Sequence, residues 1–331
     1  MPAVSLVEAQ TLGEKILMAH SVGQRNATLT IASLLRAEME GLPSHGFSRI
    51  PYYAAQSAAG KVDGHAVPQV ERPRPGVVTV DARCGFAFSA FADGLPVAAQ
   101  AAKESGVALL AVRNSHHAGV LGFPVADLAE QGLVALGFAN SPASLAPYGG
   151  TKVTFGTNPL AMACPRKNAP PLVIDLSMGL LARGKILQAA KKGELIPEGA
   201  AVDAQGNPTR DPAKAFDGAL LPFGGPKGYA LALMVEIMSA ALTGATLAIE
   251  ASSLFTADGP APRLGQSFLV MDPAATAGAS FVDRVEHLLT FITDQPGTRL
   301  PGDRRIGLSQ QAQQSNSIDL PEDLLAELRS L

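Results

Sequence analysis

The sequence predicts an α+β protein, on three observations. Helix-forming segments crowd both ends of the chain, a mixed run of short strands and helices fills the centre, and the two do not alternate as in a doubly wound sheet. Residues 5–19 and 27–41 carry apolar side chains at helical spacing: Leu6, Ala9 and Ile16 in the first, Ile31, Leu34 and Leu35 in the second. Asn26 and Thr28 offer N-cap chemistry to the second helix, and Gly41-Leu42-Pro43 ends it. The passage "GKVDGHAVPQVERPRPGVVTVDARCGF" is rich in proline and glycine and reads as loop and extended chain. An alanine-rich helix at 95–105 then feeds the strand "GVALLAV". "SHHAGVLGFPVADLAEQG" reads as a helix, and "LVALGFA", "PLAMACP" and "PLVIDLS" as strands. Beyond Gly184 come a helix, the turn-rich loop "IPEGAAVDAQGNPTRDP", a helix at 227–243, the strand "SFLVMD", a helix at 280–293 and a short C-terminal helix. No internal repeat interrupts this order.

Composition narrows the function. At 331 residues the chain can bury a large core, and 47% hydrophobic residues with a mean hydropathy of +0.18 exclude a disordered tail protein. The net charge is −3 and no basic run occurs, which argues against nucleic acid or an anionic membrane as the main partner. Cys84 and Cys164 lie far apart without CxxC spacing, so neither a zinc ribbon nor a disulfide framework is expected, and a reducing compartment is the easier reading. The opening "MPAVSLVEAQTLGEKIL" lacks the pattern of a signal peptide. The most apolar stretch, 228–244, falls short of the ~20 residues a membrane span needs and contains Glu236. A soluble, cytoplasmic protein is expected.

No GxGxxG follows a strand and no Walker motif exists, so a nucleotide would have to be bound by other machinery. The stretch "GLPSHGFSRIPYYAAQ" places Ser44, His45 and Arg49 within six residues. If helical, His45 and Arg49 share a face. An imidazole of ordinary pKa, ~6.5, can hand a proton to a substrate heteroatom, a guanidinium fork can hold a carboxylate, and Ser44 can relay. The same residues also read as a helix cap beside a surface His–Arg pair. His116-His117 point to different faces and make poor joint metal ligands. They suit either a ligand-facing imidazole at a strand-to-helix turn, where amides bind phosphate, or a satisfied loop pair. Four further loops combine glycine with polar groups. They are Thr157-Asn158-Pro159, Asp175-Leu176-Ser177 with Arg183-Gly184-Lys185, "LPFGGPKGYALAL" with Lys227 at a helix start, and "GTRLPGDRR" with Arg299, Arg304 and Arg305. Together they suggest one large, elaborated ligand site.

Taken in order, "AEMEGLPSHGFSRIPYY", "VRNSHHAGVLG", "FGTNPLAMACP", "VIDLSMG", "ARGKI", "LPFGGPKGYALALMVE" and "RLPGDRR" resemble the malate/L-lactate dehydrogenase-type oxidoreductases, a family unrelated to the Rossmann lactate dehydrogenases. Within it the chain is most similar to the Δ1-piperideine-2-carboxylate and Δ1-pyrroline-2-carboxylate reductases. The resemblance implies a non-Rossmann NAD(P)H-binding domain with a mixed, largely antiparallel sheet over 76–294, and a helical domain for dimerisation and substrate binding from 1–75 with 295–331. It implies a homodimer that uses NADPH, with NADH possible, to reduce a small cyclic imino acid to L-proline or L-pipecolate; a 2-keto acid is the alternative, a non-catalytic ligand-binding homologue a remote one. By motif, His45 would be the proton donor and Ser44 its relay. Arg49, Thr157, Arg183 and Gly184 would meet the substrate. His117, Ala118, Gly119, Val120, Leu121, Asp175, Leu176, Ser177, Pro226, Lys227, Arg299, Pro301, Gly302, Asp303, Arg304 and Arg305 would hold the cofactor, and no metal is implied. Imine-reducing members can carry an aspartate just after the Gly184 position; here the chain reads Lys185-Ile186.

Overall fold

A computed structural model describes residues 2–331, with the side chains of Arg183, Leu187, Gln188 and Lys191 outside the described set. The chain opens with strand β1 (Ala3–Ser5) and helix α1 (Leu6–Ala19), whose first turn is capped by Ser5 accepting from Glu8 N at 3.2 Å. Helix α2 runs Gln24–Met39. It begins earlier than expected, at a Gly23 cap, because Asn26 is spent elsewhere. Its buried amide donates to Gly64 O and Ala66 O at 2.8 and 3.0 Å. Two 3-10 turns, Pro43–His45 and Phe47–Arg49, lead into α3 (Ile50–Ala58). The extended passage contains β2 (Gln69–Arg74) and β3 (Val77–Asp81). Helix α4 (Ala87–Ser105) starts well before residue 95, running through Pro96, because the apolar residues 86–95 bury on the sheet.

The central elements follow the expected order: β4 (Val107–Ser115), α5 (Gly122–Ala129), β5 (Val134–Ala139), β6 (Leu160–Cys164), β7 (Leu172–Leu176) and α6 (Arg183–Lys192). The turn-rich loop supplies the two-residue strands β8 (Ala201–Val202) and β9 (Pro208–Thr209), α7 (Pro212–Asp217) and β10 (Ala219–Leu220). Helix α8 (Pro226–Glu236) continues as a π-helical turn, Ile237–Ala241. The chain finishes with β11 (Leu264–Met271), α9 (Ser280–Thr293), α10 (Asp303–Ser315), β12 (Ser317–Asp319) and α11 (Glu322–Ser330). The expected single C-terminal helix is thus two helices and a strand. Helix α10 is nearly all polar and shows no apolar stripe; it is held instead by packing on α2, where Leu308 closes over Gly41.

The fold is α+β. Seven strands form one sheet in the order β2-β3-β4-β11-β5-β6-β7, parallel only between β3 and β4. Helices α4 and α5 cover it, with Val80, Leu110, Val125, Leu128 and Phe268 at the centre of that core. A second core joins both ends of the chain: β1 pairs with β12, and Leu17, Ile31, Leu34, Ile50 and Tyr53 pack with Ile318, Leu320 and Leu328. A small sheet, β10-β8-β9, builds a third core around Leu145, Phe155, Met178 and Leu220.

Candidate active site

The site lies where the second core meets the end of β4. Gly46 breaks the segment after His45, so His45 and Arg49 sit on two separate 3-10 turns and not on one helical face. The turns join them differently: Arg49 Nε donates to the Ser44 carbonyl at 2.7 Å, which aims the guanidinium back at the serine. Ser44 Oγ is 3.0 Å from His45 Nδ1, the serine–imidazole pair expected from the sequence.

From the other side, β4 delivers His117. Its ring stacks on His45 at 5.6 Å, and its Nδ1 lies 2.7 Å from the Tyr53 hydroxyl. His116 faces the opposite way, into the core, with Nε2 2.8 Å from Gln56 Oε1 and its ring edge-on to Tyr53 and Phe86. The two histidines therefore divide: one faces the site, the other is a satisfied core residue on Nε2. No group of three or more His, Cys, Asp or Glu able to hold a metal occurs among the described residues.

Burial dominates the electrostatics. It pushes His45 down to about 3, with the charges of Arg49 and Arg305 adding to the effect. The imidazole is therefore neutral at physiological pH, not the half-protonated group of ordinary pKa read from the sequence. His116 falls to about 3 for the same first reason, and His117 also lies well below the usual value. Burial lowers Arg49 and raises Tyr53. The Arg49 guanidinium lies 5.0 Å from the Phe255 ring centroid, a cation–π contact that at a desolvated site stabilises by about 2 kcal/mol.

Sequence reasoning passed over a carboxyl at the same spot. Glu38, in the last turn of α2, lies under Gly46 and accepts from Phe47 N at 2.6 Å; burial pushes it up to about 7. A Cβ at Gly46 would overlap that carboxylate. The only sequence signal was its place in "AEMEGLPSHG", ahead of the histidine. Tyr53 and Gln56, one and two helical turns beyond Arg49, were readable only by extending the same helix face.

The remaining segments reach this centre unequally. Gly184 lies against Ser44, where a Cβ would come within 2.8 Å of the serine Cβ. Only the backbone of Arg183 is described, at the start of α6. Thr157 O accepts from Met178 N at 2.8 Å and from Ser177 Oγ at 3.4 Å, placing Thr157 beside the end of β7. Phe223 N donates to Met178 O at 3.0 Å, so the glycine turn ahead of Pro226 and Lys227 borders the same strand end. Gly122, following His117, Ala118, Gly119, Val120 and Leu121, donates its N–H to Asp175 at 3.1 Å, and Arg305 reaches Asp175 at 3.4 Å. That first amide of α5 is thus capped by a carboxylate and is not open to a phosphate. Arg299, Arg304 and Lys227 are exposed, whereas Asp303 closes its own turn by accepting from Leu300 N at 3.0 Å. A cavity of about 370 Å³ between α2, α5 and α10 is lined by Arg36, Glu40, Phe123, Val173, Gly302 and Arg305. The cations bordering this cavity, Arg36 and Arg305, fit a phosphate-bearing cofactor.

A model of the malate/L-lactate dehydrogenase family matches residues 4–329. The chain belongs to that family. It is therefore an oxidoreductase, and the resemblance read from the motifs holds over nearly its whole length. Among family members, the (2R)-3-sulfolactate dehydrogenase (NADP(+)) of Chromohalobacter salexigens is 45% identical over 327 residues, covering 99% of this chain and 97% of that protein. A Δ1-pyrroline-2-carboxylate/Δ1-piperideine-2-carboxylate reductase of Pseudomonas syringae pv. tomato is 41% identical over 303 residues, 91% of this chain and 88% of its own. The crystal structure of Δ1-piperideine-2-carboxylate reductase from the same organism superposes with a TM-score of 0.94 at 38% identity, covering 100% and 99% of the two chains.

Proposed function

We propose that this family member is an NADPH-dependent reductase of cyclic imino acids, Δ1-pyrroline-2-carboxylate or Δ1-piperideine-2-carboxylate, giving L-proline or L-pipecolate. The observation that carries this reading is the convergence of a Ser44–His45 pair and the Arg49 fork in one buried spot. NADPH, when bound, supplies the hydride to the carbon beside the carboxylate. Arg49 holds that carboxylate by two parallel charge-assisted hydrogen bonds, and Ser44 and His45 face the neighbouring heteroatom. The depressed His45 suits an imine. A protonated imine brings its own proton and asks the neutral imidazole only to orient and hydrogen-bond, whereas a keto group needs a proton delivered.

A second reading has its own support. Lys185 stands where imine-reducing members can carry an aspartate, and the 45% identical relative is a sulfolactate dehydrogenase. A lysine one residue from Gly184 suits a 2-oxo acid with a second anionic group. NADPH oxidation measured with both imines, pyruvate and sulfopyruvate separates the two. On a 2-oxo acid, where a proton must be delivered, His45→Ala should lower kcat by about a hundredfold to ten-thousandfold, and on a protonated imine by a smaller factor from lost orientation, with NADPH binding unchanged in both. Wild-type turnover in that variant would end the assignment of His45. We further propose a homodimer, on the support of an exposed apolar face along α8 and its π turn: Leu233, Met234, Ile237 and Leu242.

A further inference from the structure

The loop after α8 carries Phe255 to the edge of the site, and an unusual lysine holds it there. Lys61 is only 3% exposed, yet among the described residues no carboxylate pairs with its ammonium. Instead Lys61 Nζ donates to three main-chain carbonyls of one loop, Ser253 O at 2.7 Å, Thr256 O at 3.0 Å and Asp258 O at 2.7 Å. All three ammonium protons are thereby used. Burial lowers the Lys61 pKa, and the nearby Asp258 charge works against that, so the cation is held by carbonyl dipoles and the charge of Asp258 without an ion pair. Two more side chains grip the same loop from α3. Gln56 Nε2 donates to Leu254 O at 2.8 Å, and the Tyr52 ring meets Phe255 edge-on at 5.6 Å. Phe255, fixed in this way, is the ring on which the Arg49 guanidinium rests.

We propose that Lys61 is a positioning residue for the substrate's carboxylate anchor: its ammonium occupies a three-carbonyl cage like a built-in monovalent cation, and so sets the Phe255 loop against Arg49. Without a cation at the cage, three carbonyls face one another with nothing to bridge them and the loop loses its reason to fold inward. Phe255 then leaves Arg49 free to swing away from the Ser44 carbonyl direction. The substrate's grip weakens while the hydride-transfer chemistry and the cofactor contacts remain. The inference rests on the proposed function only for the statement that Arg49 receives a carboxylate.

Two readouts test it on the full-length protein. The first needs no substrate: limited chymotrypsin digestion, with cleavage after Phe255 identified by mass spectrometry. Lys61→Ala should be cut there about tenfold faster than wild type, and ammonium or methylammonium chloride, but not equal sodium chloride, should restore resistance by refilling the cage. Lys61→Met keeps the aliphatic stem; it is the variant to read if Lys61→Ala fails to fold, and it should be cut faster with no rescue by ammonium. The second readout is steady-state kinetics on whichever acid the wild type reduces. Lys61→Ala should raise the KM of that acid about tenfold, with the KM of NADPH unchanged and ammonium lowering the acid's KM again. Wild-type resistance at Phe255 in both variants would overturn the cage. A cut loop with an unchanged acid KM would overturn its link to Arg49. If the wild type reduces none of the acids, the proposed function fails, while the digestion result still decides the cage.

Discussion

At the scale of residues, the site inverts the usual order of acidity. Burial leaves His45 neutral to about pH 3 and keeps Glu38, a few ångströms of backbone away, protonated to about pH 7. The two shifts act oppositely on stability. His45, His116 and His117 bind protons more weakly folded than unfolded, so their contribution falls as pH drops below about 6.5. Glu38 binds its proton more tightly folded, so its contribution falls as pH rises from about 4.5 to 7. Three histidines outweigh one glutamate, and thermal unfolding should move to lower temperature between pH 7 and pH 5. His116→Gln, which removes one titrating group, should flatten the fall in unfolding free energy over that range by about 1 kcal/mol per pH unit. A slope that His116→Gln leaves unchanged would mean that this histidine does not titrate on unfolding. The grouping of Ser44, His45 and Arg49 was legible because serine, histidine and arginine are chemically distinctive and close in sequence. Glu38 was not, because a glutamate at a helix end is ordinary until burial makes it otherwise.

At the scale of elements, sequence periodicity found β4, β5, β6, β7 and β11 and most helices, since alternating or helical apolar spacing survives wherever an element packs on a core, while β2 and β3 were read only as extended chain in a passage rich in proline and glycine. It failed where packing comes from outside the element. Helix α10 has a polar sequence and is held by α2; the start of α4 is hidden because residues 86–91 are buried all round and show no single apolar stripe. It also failed at Gly46, where a helical reading of 44–49 gave the right neighbours by the wrong geometry. That glycine is required by what lies beneath it. Gly46→Ala should force the Glu38 carboxylate away from Phe47 N and cost about 1–3 kcal/mol, read as a lower Tm, with a loss of kcat because the same turn carries His45. An unchanged Tm would show that Glu38 moves without cost.

At the scale of the whole molecule, the apolar face of α8 leaves Ile237 52% exposed, in a helix whose opposite side packs against β5 and β11. Ile237→Glu should convert the proposed dimer to a monomer by light scattering with size-exclusion chromatography; a wild-type protein already monomeric at micromolar concentration removes the proposal. The order of the sheet has a consequence for synthesis. Strand β11, residues 264–271, is the last of the seven to be made, yet it lies between β4 and β5 and alone joins β2-β3-β4 to β5-β6-β7. On the ribosome, each half therefore waits with an open, apolar edge until residue 271 has emerged. Long-range closure of this kind is slow, and open edges recruit other chains. A chain ending at residue 262 should collect in the insoluble fraction or on chaperones, and the full-length chain should not. The strand that completes the sheet thus also sets the length of chain at which its two inner edges stop being open to other chains.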